Sequence, residues 1–412
     1  MTKFVKRSEK FCVPHKMLPR YRSPFDFSTI VSGLLGGCFN ISISSIEEAY
    51  ANHFHMPYSV LLPSCRAGMS WALEINNASP KKVLCSAFNC PTVFEAILRA
   101  GSELVIADIK HDSFLLEHKS IKLLNYQSLV LSEIYGYTYG LNLWELTDGL
   151  PGIRIIDMAM TVPSLHHFQR LRRTDFAVLS FGTGKCLYAG SGGIGFSHDK
   201  NLVMEIRKWR DRCIEKETLL LFIKHSLEIL SRNILREPAL YGFYFKRSTL
   251  KRLIKDENDD GIILDQLDYV KQPLSKEWYT PTTYIDRYLM FYNLKCADEY
   301  IEKRIAIAKR YRINLNGVDG LILPPISSDA LSHYTIRVNH HLRDKLIHYL
   351  FGMGIETGTL FFFSRLFNRR NFPNAASTAA EIINLPIDVR MLLSDVDRIC
   401  NCLLEALKQV NN

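Results

Sequence analysis

Three side chains in this sequence have the types and settings that could do chemistry together. Lys185 lies in SFGTGKCLYAGSGGIGFS (180–197), between the apolar run DFAVLSF (175–181) and a Gly-Ser-Gly-Gly bend. A lysine is rarely placed in such crowded, apolar surroundings unless its amine is used, because burial disfavours its charged form. Asp157 closes the apolar run IRIID within 153–159, and Arg66 opens the helix-like stretch that follows YSVLLPS (58–64). Singly, each has an ordinary explanation: a helix cap, a solvent-facing amine, a surface charge. In this order they offer a nucleophilic amine, a carboxylate for a protonated ring nitrogen and a helix start for a phosphate, which is the set pyridoxal phosphate requires. Gly182, Gly184 and Gly190, with Gly192 and Gly193, would let the loop around Lys185 come close to such a cofactor.

The elements that must hold these residues are legible as alternating apolar runs and helical spacers. The runs YSVLLPS (58–64), KKVLCSA (81–87), SELVIADI (102–109), SLVLSEIYG (128–136), IRIIDMA (153–159) and DFAVLSF (175–181) mostly lack period-two alternation, as strands covered on both faces do. Between them RAGMSWALEI and PTVFEAILRAG read as helices, the second stopped by Gly101. This is the pattern of a mostly parallel α/β sheet flanked by helices, with ligands at the carboxyl ends of the strands. Asp157, Lys185 and Arg66 all fall at that edge.

Residues 203–256 read as helical, with Ile223, Leu227, Leu230 and Ile234 on one face and Lys224, Arg232 and Lys246 off it. Core or subunit packing is the commoner cause of such a stripe, and a membrane-surface helix the rarer one. A long helix over 287–312, a strand at HYTIRVN, a helix at LRDKLIHYLFGMG and a final helix from Ser394 make an α+β C-terminal lobe. The division expected is a basic tail over 1–24, a cofactor-binding large domain over 25–275 containing the helical segment 203–256, and a small domain over 276–412.

Composition narrows the function classes. The formal net charge is +9, yet the stretch Met1–Ser23 carries seven basic side chains against Glu9 alone, so most of the excess belongs to the tail. A near-balanced body argues against nucleic acid as a partner, and the tail reads as a solvated segment. No apolar run approaches the roughly 18 residues of a membrane-spanning helix, so integral membrane association is not expected. The ten cysteines form no CxxC pair and lie mostly in apolar stretches. They read as reduced core residues of a cytoplasmic protein, with no metal site expected.

Several longer stretches carry a family likeness. They are ISSIEEAYANHFHMPYSVLLPSCRAGMSWAL, FNCPTVFEAILRAGSELVIADI, EIYGYTYGL, IIDMAM, DFAVLSFGTGKCLYAGSGGIGFS and RDKLIHYLFGMGIETG, with NFPNAASTAAEIINLPIDVRMLLSDVDRI near the end. In order, from about Gly33 to the C-terminus, they resemble the fold-type I pyridoxal-phosphate enzymes, and within them the DegT/DnrJ/EryC1/StrS aminotransferases, which act on keto sugars attached to nucleotides. The resemblance implies a homodimer with a smaller C-terminal domain. It implies pyridoxal 5'-phosphate as cofactor, an amino donor such as glutamate and a keto-sugar acceptor.

Carried over, Lys185 is the Schiff-base lysine and the base for the proton shift, Asp157 pairs with the ring nitrogen, and Ser180 touches the phosphate. Dehydratase relatives replace the lysine with histidine, so Lys185 points to amino transfer. The sequence also departs from the family. The phosphate-side Gly-Thr pair reads Cys65-Arg66, followed by Ala67, with Arg66 able to supply a charge. The ring-stacking aromatic reads Cys90, or Phe88 in a shifted register. The Gln near the ring hydroxyl reads Met160, the partner-subunit Asn about Tyr279, and the Glu of Gly-Glu-Gly-Gly reads Ser191. GTLFFF replaces an aromatic-lined His-Tyr, bringing Phe361, Phe362 and Phe363 near the expected sugar region. These changes keep open two other readings: a catalytically altered protein with a binding or regulatory role, and a pyridoxal-phosphate enzyme, such as a lyase or racemase, on a non-sugar substrate.

Overall fold

The computed structural model describes residues 16–35, 41–76, 81–244, 272–364 and 366–411. Its centre is a seven-stranded sheet of β1 (Tyr58–Leu62), β2 (Lys82–Ser86), β3 (Glu103–Ala107), β4 (Ser128–Ser132), β5 (Arg154–Asp157), β6 (Phe176–Ser180) and β7 (Gly193–Ser197). The spatial order is β1-β7-β6-β5-β4-β2-β3, and β7 pairs antiparallel with both neighbours while the remaining pairs are parallel.

The apolar runs form these strands because both faces are covered. Val60, Leu62, Val83, Cys85, Val130, Ile155, Phe176 and Val178 point to one face, beneath α3 (Cys65–Asn76), α4 (Pro91–Arg99) and α5 (Lys200–Cys213). The alternate residues Leu61, Leu84, Leu131, Ile156, Ala177 and Leu179 pack on the other face, against α2 (Ile43–His53) and its neighbours. Side chains alternate across a strand, so a run apolar throughout feeds two cores at once.

One polar device is buried inside this packing. Arg154, at the start of β5, is 1% exposed and donates through Nε and Nη2 to Oδ2 of the fully buried Asp175 at 3.1 and 2.6 Å. It also reaches Thr147 Oγ1 at 2.8 Å, and its guanidinium lies 4.3 Å from the Trp144 ring. Such a pair, once formed, is costly to break from one side, because the survivor is a buried charge.

The helical segment resolves into α5, α6 (Leu219–Leu235) and α7 (Pro238–Tyr244), and residues 245–256 of the expected helix lie outside the described ones. Of the two packing readings of the α6 stripe, the one against this chain's own core is corrected. Ile223, Leu227 and Ile234 are exposed, whereas Ser226, Ile229 and Asn233 are buried. The register was misjudged because the truly inward face carries a serine and an asparagine, which hydrophobicity alone does not mark. Asn233 is held there by donating to the Phe25 carbonyl at 2.7 Å, which accounts for a polar side chain on the inward face.

The N-terminal stretch is corrected too. Residues 16–24 do not dangle: Met17 is fully buried, Leu18 bridges to Ile355, and Arg22 pairs with Asp388 at 3.3 Å. Residues 1–15 lie outside the described residues.

The C-terminal part begins with the long α8 (Tyr284–Leu315), started by a capping box between Thr283 and Asp286. A three-stranded antiparallel sheet, β10 (Ile382–Pro386), β9 (His333–Val338) and β8 (Leu321–Ile322), follows, packed with α9 (His340–Gly352), α10 (Pro373–Glu381) and α11 (Leu393–Asn411). No helix among the described residues is long and apolar enough to cross a membrane.

Candidate active site

The carboxyl edge of the large sheet opens into a cavity of about 670 Å³. Register explains why its floor residues meet. Ser132 ends β4 opposite Asp157 at the end of β5, Asp157 lies beside Val178 of β6, and Ser180 ends β6 opposite Gly193 of β7. The loop between β6 and β7 therefore rises from two adjacent strand ends and carries Lys185 above them.

Lys185, Asp157, Ser180, Arg66, Met160 and Cys90 all line this one cavity, whereas Ala67 is fully buried within α3 and does not. Ala67 contributes only locally, its amide donating to Ser64 Oγ at 3.4 Å. Phe88 is buried in an aromatic cluster with Phe114, Tyr135 and Phe361, so of the two registers weighed for the stacking position, Cys90 is the one at the cavity. Phe361 lines the cavity but Phe362 and Phe363 do not, and Tyr279 and Ser191 both do.

Asp157 is 7% exposed and held from two sides, by the Ala159 amide at 3.0 Å and the Ser132 hydroxyl at 3.2 Å. Burial raises its pKa, and the Lys185 charge, the Ala159 amide and the Ser132 hydroxyl pull against that rise. Asn89 donates to Ser132 Oγ at 3.0 Å, so a chain of donors runs from Asn89 through Ser132 to the carboxylate. A second carboxyl, Glu133, is 3% exposed on the cavity wall and accepts from Thr161 Oγ1 at 2.9 Å. Burial pushes it up to about 8 against the pull of Thr161, with Asp329 and Asp157 adding to the rise, so it is neutral at pH 7.

Arg66 lines the cavity and is also anchored within the protein. Its Nη1 donates to Glu95 Oε2 and to Ser275 Oγ, each at 3.2 Å, which ties the start of α3 to α4 across the cavity rim. The amides of Ala67 and Gly68 turn back to Ser64, leaving those of Cys65 and Arg66 as the first-turn donors. They lie close to Ser180, since a Cβ added to Gly193 would come within 3.0 Å of the Cys65 amide nitrogen.

These residues fit pyridoxal phosphate. An amine, a buried carboxylate on the same cavity and a hydroxyl beside a helix start match its aldehyde, ring nitrogen and phosphate.

Sequence reading missed Asn89, Ser132, Glu133 and Tyr188, all on the cavity. Asn89 and Glu133 could have been found by applying the carboxyl-edge rule to β2 and β4 as well as β5 and β6. It also missed Lys224, His225, Glu228 and Arg232 of α6, whose approach depends on long-range packing.

The fold is shared with solved structures. The aminotransferase TlmJ from Streptoalloteichus hindustanus superposes with a TM-score of 0.68 at 17% identity, covering 97% of this chain and 100% of that one. The sugar aminotransferase CalS13 from Micromonospora echinospora gives 0.65 at 17%, covering 96% and 99%. The E. coli GDP-4-keto-6-deoxy-D-mannose-3-dehydratase with bound hydrated pyridoxal phosphate gives 0.69 at 13%, covering 94% and 99%. No curated protein matches the sequence. A sequence profile of the DegT/DnrJ/EryC1/StrS aminotransferase family matches residues 41–222 and 288–404, and with the cavity described above the chain belongs to that family of pyridoxal-phosphate-dependent aminotransferases.

Proposed function

We propose that this protein moves an amino group from glutamate to a keto sugar, nucleotide-linked, on a route to a polysaccharide or secondary metabolite. The carrying observation is that Lys185 and Asp157 line one cavity, Asp157 at the end of β5 and Lys185 on the loop that follows the neighbouring β6. A homodimer in the cytoplasm is part of the same reading, supported by the family and by unpaired thiols such as Cys65, Cys85 and Cys186.

When bound, pyridoxal phosphate supplies a carbonyl carbon for the amine and a protonated ring that accepts electron density. The protein's own groups divide the remaining work. Asp157, steadied by Ser132 and Ala159, keeps a proton on the ring nitrogen. The Cys65 and Arg66 amides and Ser180 hold the phosphate. Lys185 Nζ takes a proton from one substrate carbon and returns it to another position, as a general base and then acid. Among the structural neighbours is a dehydratase, so likeness of fold alone does not choose between amination and dehydration. Lys185 favours amination, because retaining an amine retains a group that can both bind the cofactor and relay the proton.

The test is spectroscopic. Purified protein loaded with the cofactor should show the visible band of a lysine-bound form, and adding glutamate should bleach it. Met160 and Cys90, with little capacity to donate hydrogen bonds to a ring, favour a second reading in which cofactor binds without amino transfer. In that case the band forms and no amino acid bleaches it. A protein that never takes up the cofactor would end both.

A further inference from the structure

The family profile stops at residue 222 and resumes at 288, so α6 beyond its first turn, with the start of α8, lies outside the matched residues. This unmatched helix nevertheless covers the loop that carries Lys185. Arg232 donates to Thr183 Oγ1, and a Cβ on Gly190 would meet Ile229 Cδ1 at 2.9 Å. Ser191 donates to Asp286 Oδ2 at 3.1 Å, the same oxygen that the His225 ring meets through Nδ1 at 2.8 Å. Residues 225, 228, 229 and 232 recur every three or four positions, so they share one helix face, and all four line the cavity.

Asp286 is fully buried and also accepts from the Thr283 amide and hydroxyl at 2.7 and 2.9 Å. All of these contacts converge on Oδ2, and a carboxylate oxygen accepting at Nδ1 places a proton on that ring nitrogen. Nε2 is then the nitrogen left for a ligand. Burial disfavours the charged ring, but the hydrogen bond and charge of Asp286, with Glu228 adding and Lys224 opposing, hold its pKa above the ordinary histidine value. Lys224, which faces Glu228 at 4.0 Å, also lines the cavity, but the His225 ring and the Arg232 guanidinium are the cationic side chains tied to the lysine loop and to Asp286.

We propose that the cavity face of α6, through His225 and Arg232, binds an anionic group of the substrate, a carboxylate or a phosphate, and thereby selects the substrate. This rests on the reading of the cavity as the place where amino donor and acceptor bind. Both sources of the anion are chemically equivalent to a pair of cationic donors, one a protonated ring and the other a guanidinium fork.

The experiment titrates glutarate and inorganic pyrophosphate separately into the cofactor-loaded full chain, by calorimetry. Binding of glutarate alone assigns the site to the donor carboxylate, and binding of pyrophosphate alone assigns it to a diphosphate. Arg232→Gln and His225→Gln should each weaken the bound anion about tenfold, and Arg232→Lys should recover most of the loss. Ser231→Ala, exposed on the same helix, should leave it unchanged. Affinity should also fall as pH rises through the raised pKa of His225, and His225→Gln should flatten that dependence. Neither anion binding, or both variants binding as tightly as the wild type, overturns the proposal. Failure to take up cofactor would instead sink the functional reading, and the cofactor band reports that separately.

Discussion

The floor and the wall of the cavity are built by opposite means. The floor is made of strand ends, where pairing such as Ser132 opposite Asp157 and Ser180 opposite Gly193 fixes side-chain positions through the backbone. The wall along α6 is held by side chains reaching across long separations, such as the His225 ring against Asp286, 61 positions away. A floor set by register is insensitive to most surface change, while a wall set by side-chain contacts can be re-cut one residue at a time. Under the proposed function the contrast separates two properties: cofactor chemistry would reside at the sheet edge, and substrate choice in the helix laid over it.

That division can be broken experimentally, beginning at the floor. Lys185→Ala should abolish the lysine-bound cofactor band and lower turnover roughly 10²–10⁴-fold, checked by absorbance and by donor half-reaction kinetics. Arg154→Met leaves the buried Asp175 with Arg172, at 3.0 Å, as its remaining ionic partner and should cost about 1–3 kcal/mol in urea unfolding, loosening β5 beneath Asp157. Asp157→Asn should keep the fold and weaken cofactor affinity about tenfold to a hundredfold, read by titrating the cofactor into stripped protein. If any wall substitution matched these losses, the separation of roles would be wrong.

The smallest effect concerns Glu133. Native protein keeps its proton up to about pH 8, while the unfolded chain loses it at the ordinary glutamate value of about 4.5. The native state therefore binds more protons across that window, and this residue's contribution to stability declines as pH rises through it. Glu133→Gln removes the decline. The melting temperature of the variant relative to wild type should rise by a few degrees between about pH 5 and pH 8, measured by calorimetry. A difference that stays flat with pH would mean that Glu133 is ionised in the fold.

The floor was readable in the sequence for a physical reason. Runs such as FAVL, apolar at four consecutive positions, read as strands covered on both faces, and that places Asp157 and Lys185 at a common edge. Three strands were not anticipated, one of them the two-residue β8. β7, GIGFS, carries two glycines that suggest a turn, and its place is decided by Phe176, whose ring fills the space a Gly195 side chain would need. β10 follows directly on α10 with no punctuating residue between them. The α6 register was missed because its buried face includes Ser226 and Asn233, whose burial depends on partners distant in sequence. Arg66, read as a charge for the phosphate, does line the cavity, and its pairing with Glu95 was not legible because that acceptor lies a whole helix–strand unit away.

The stretch Met17–Arg22 has a consequence for the timing of assembly. Tyr21 lies under the Lys185 loop, where a Cβ on Gly184 would touch its ring at 3.7 Å. Yet the partners that anchor this stretch come late: the Arg20 amide donates to Glu356, 336 positions on, and Arg22 pairs with Asp388, 366 positions on. On the ribosome, residues 17–22 emerge long before either carboxylate exists, and contacts of such separation close slowly. The underside of the lysine loop is thus completed only when nearly all of the chain has been made, so a nascent chain holding Lys185 and Asp157 is not yet a finished cofactor site.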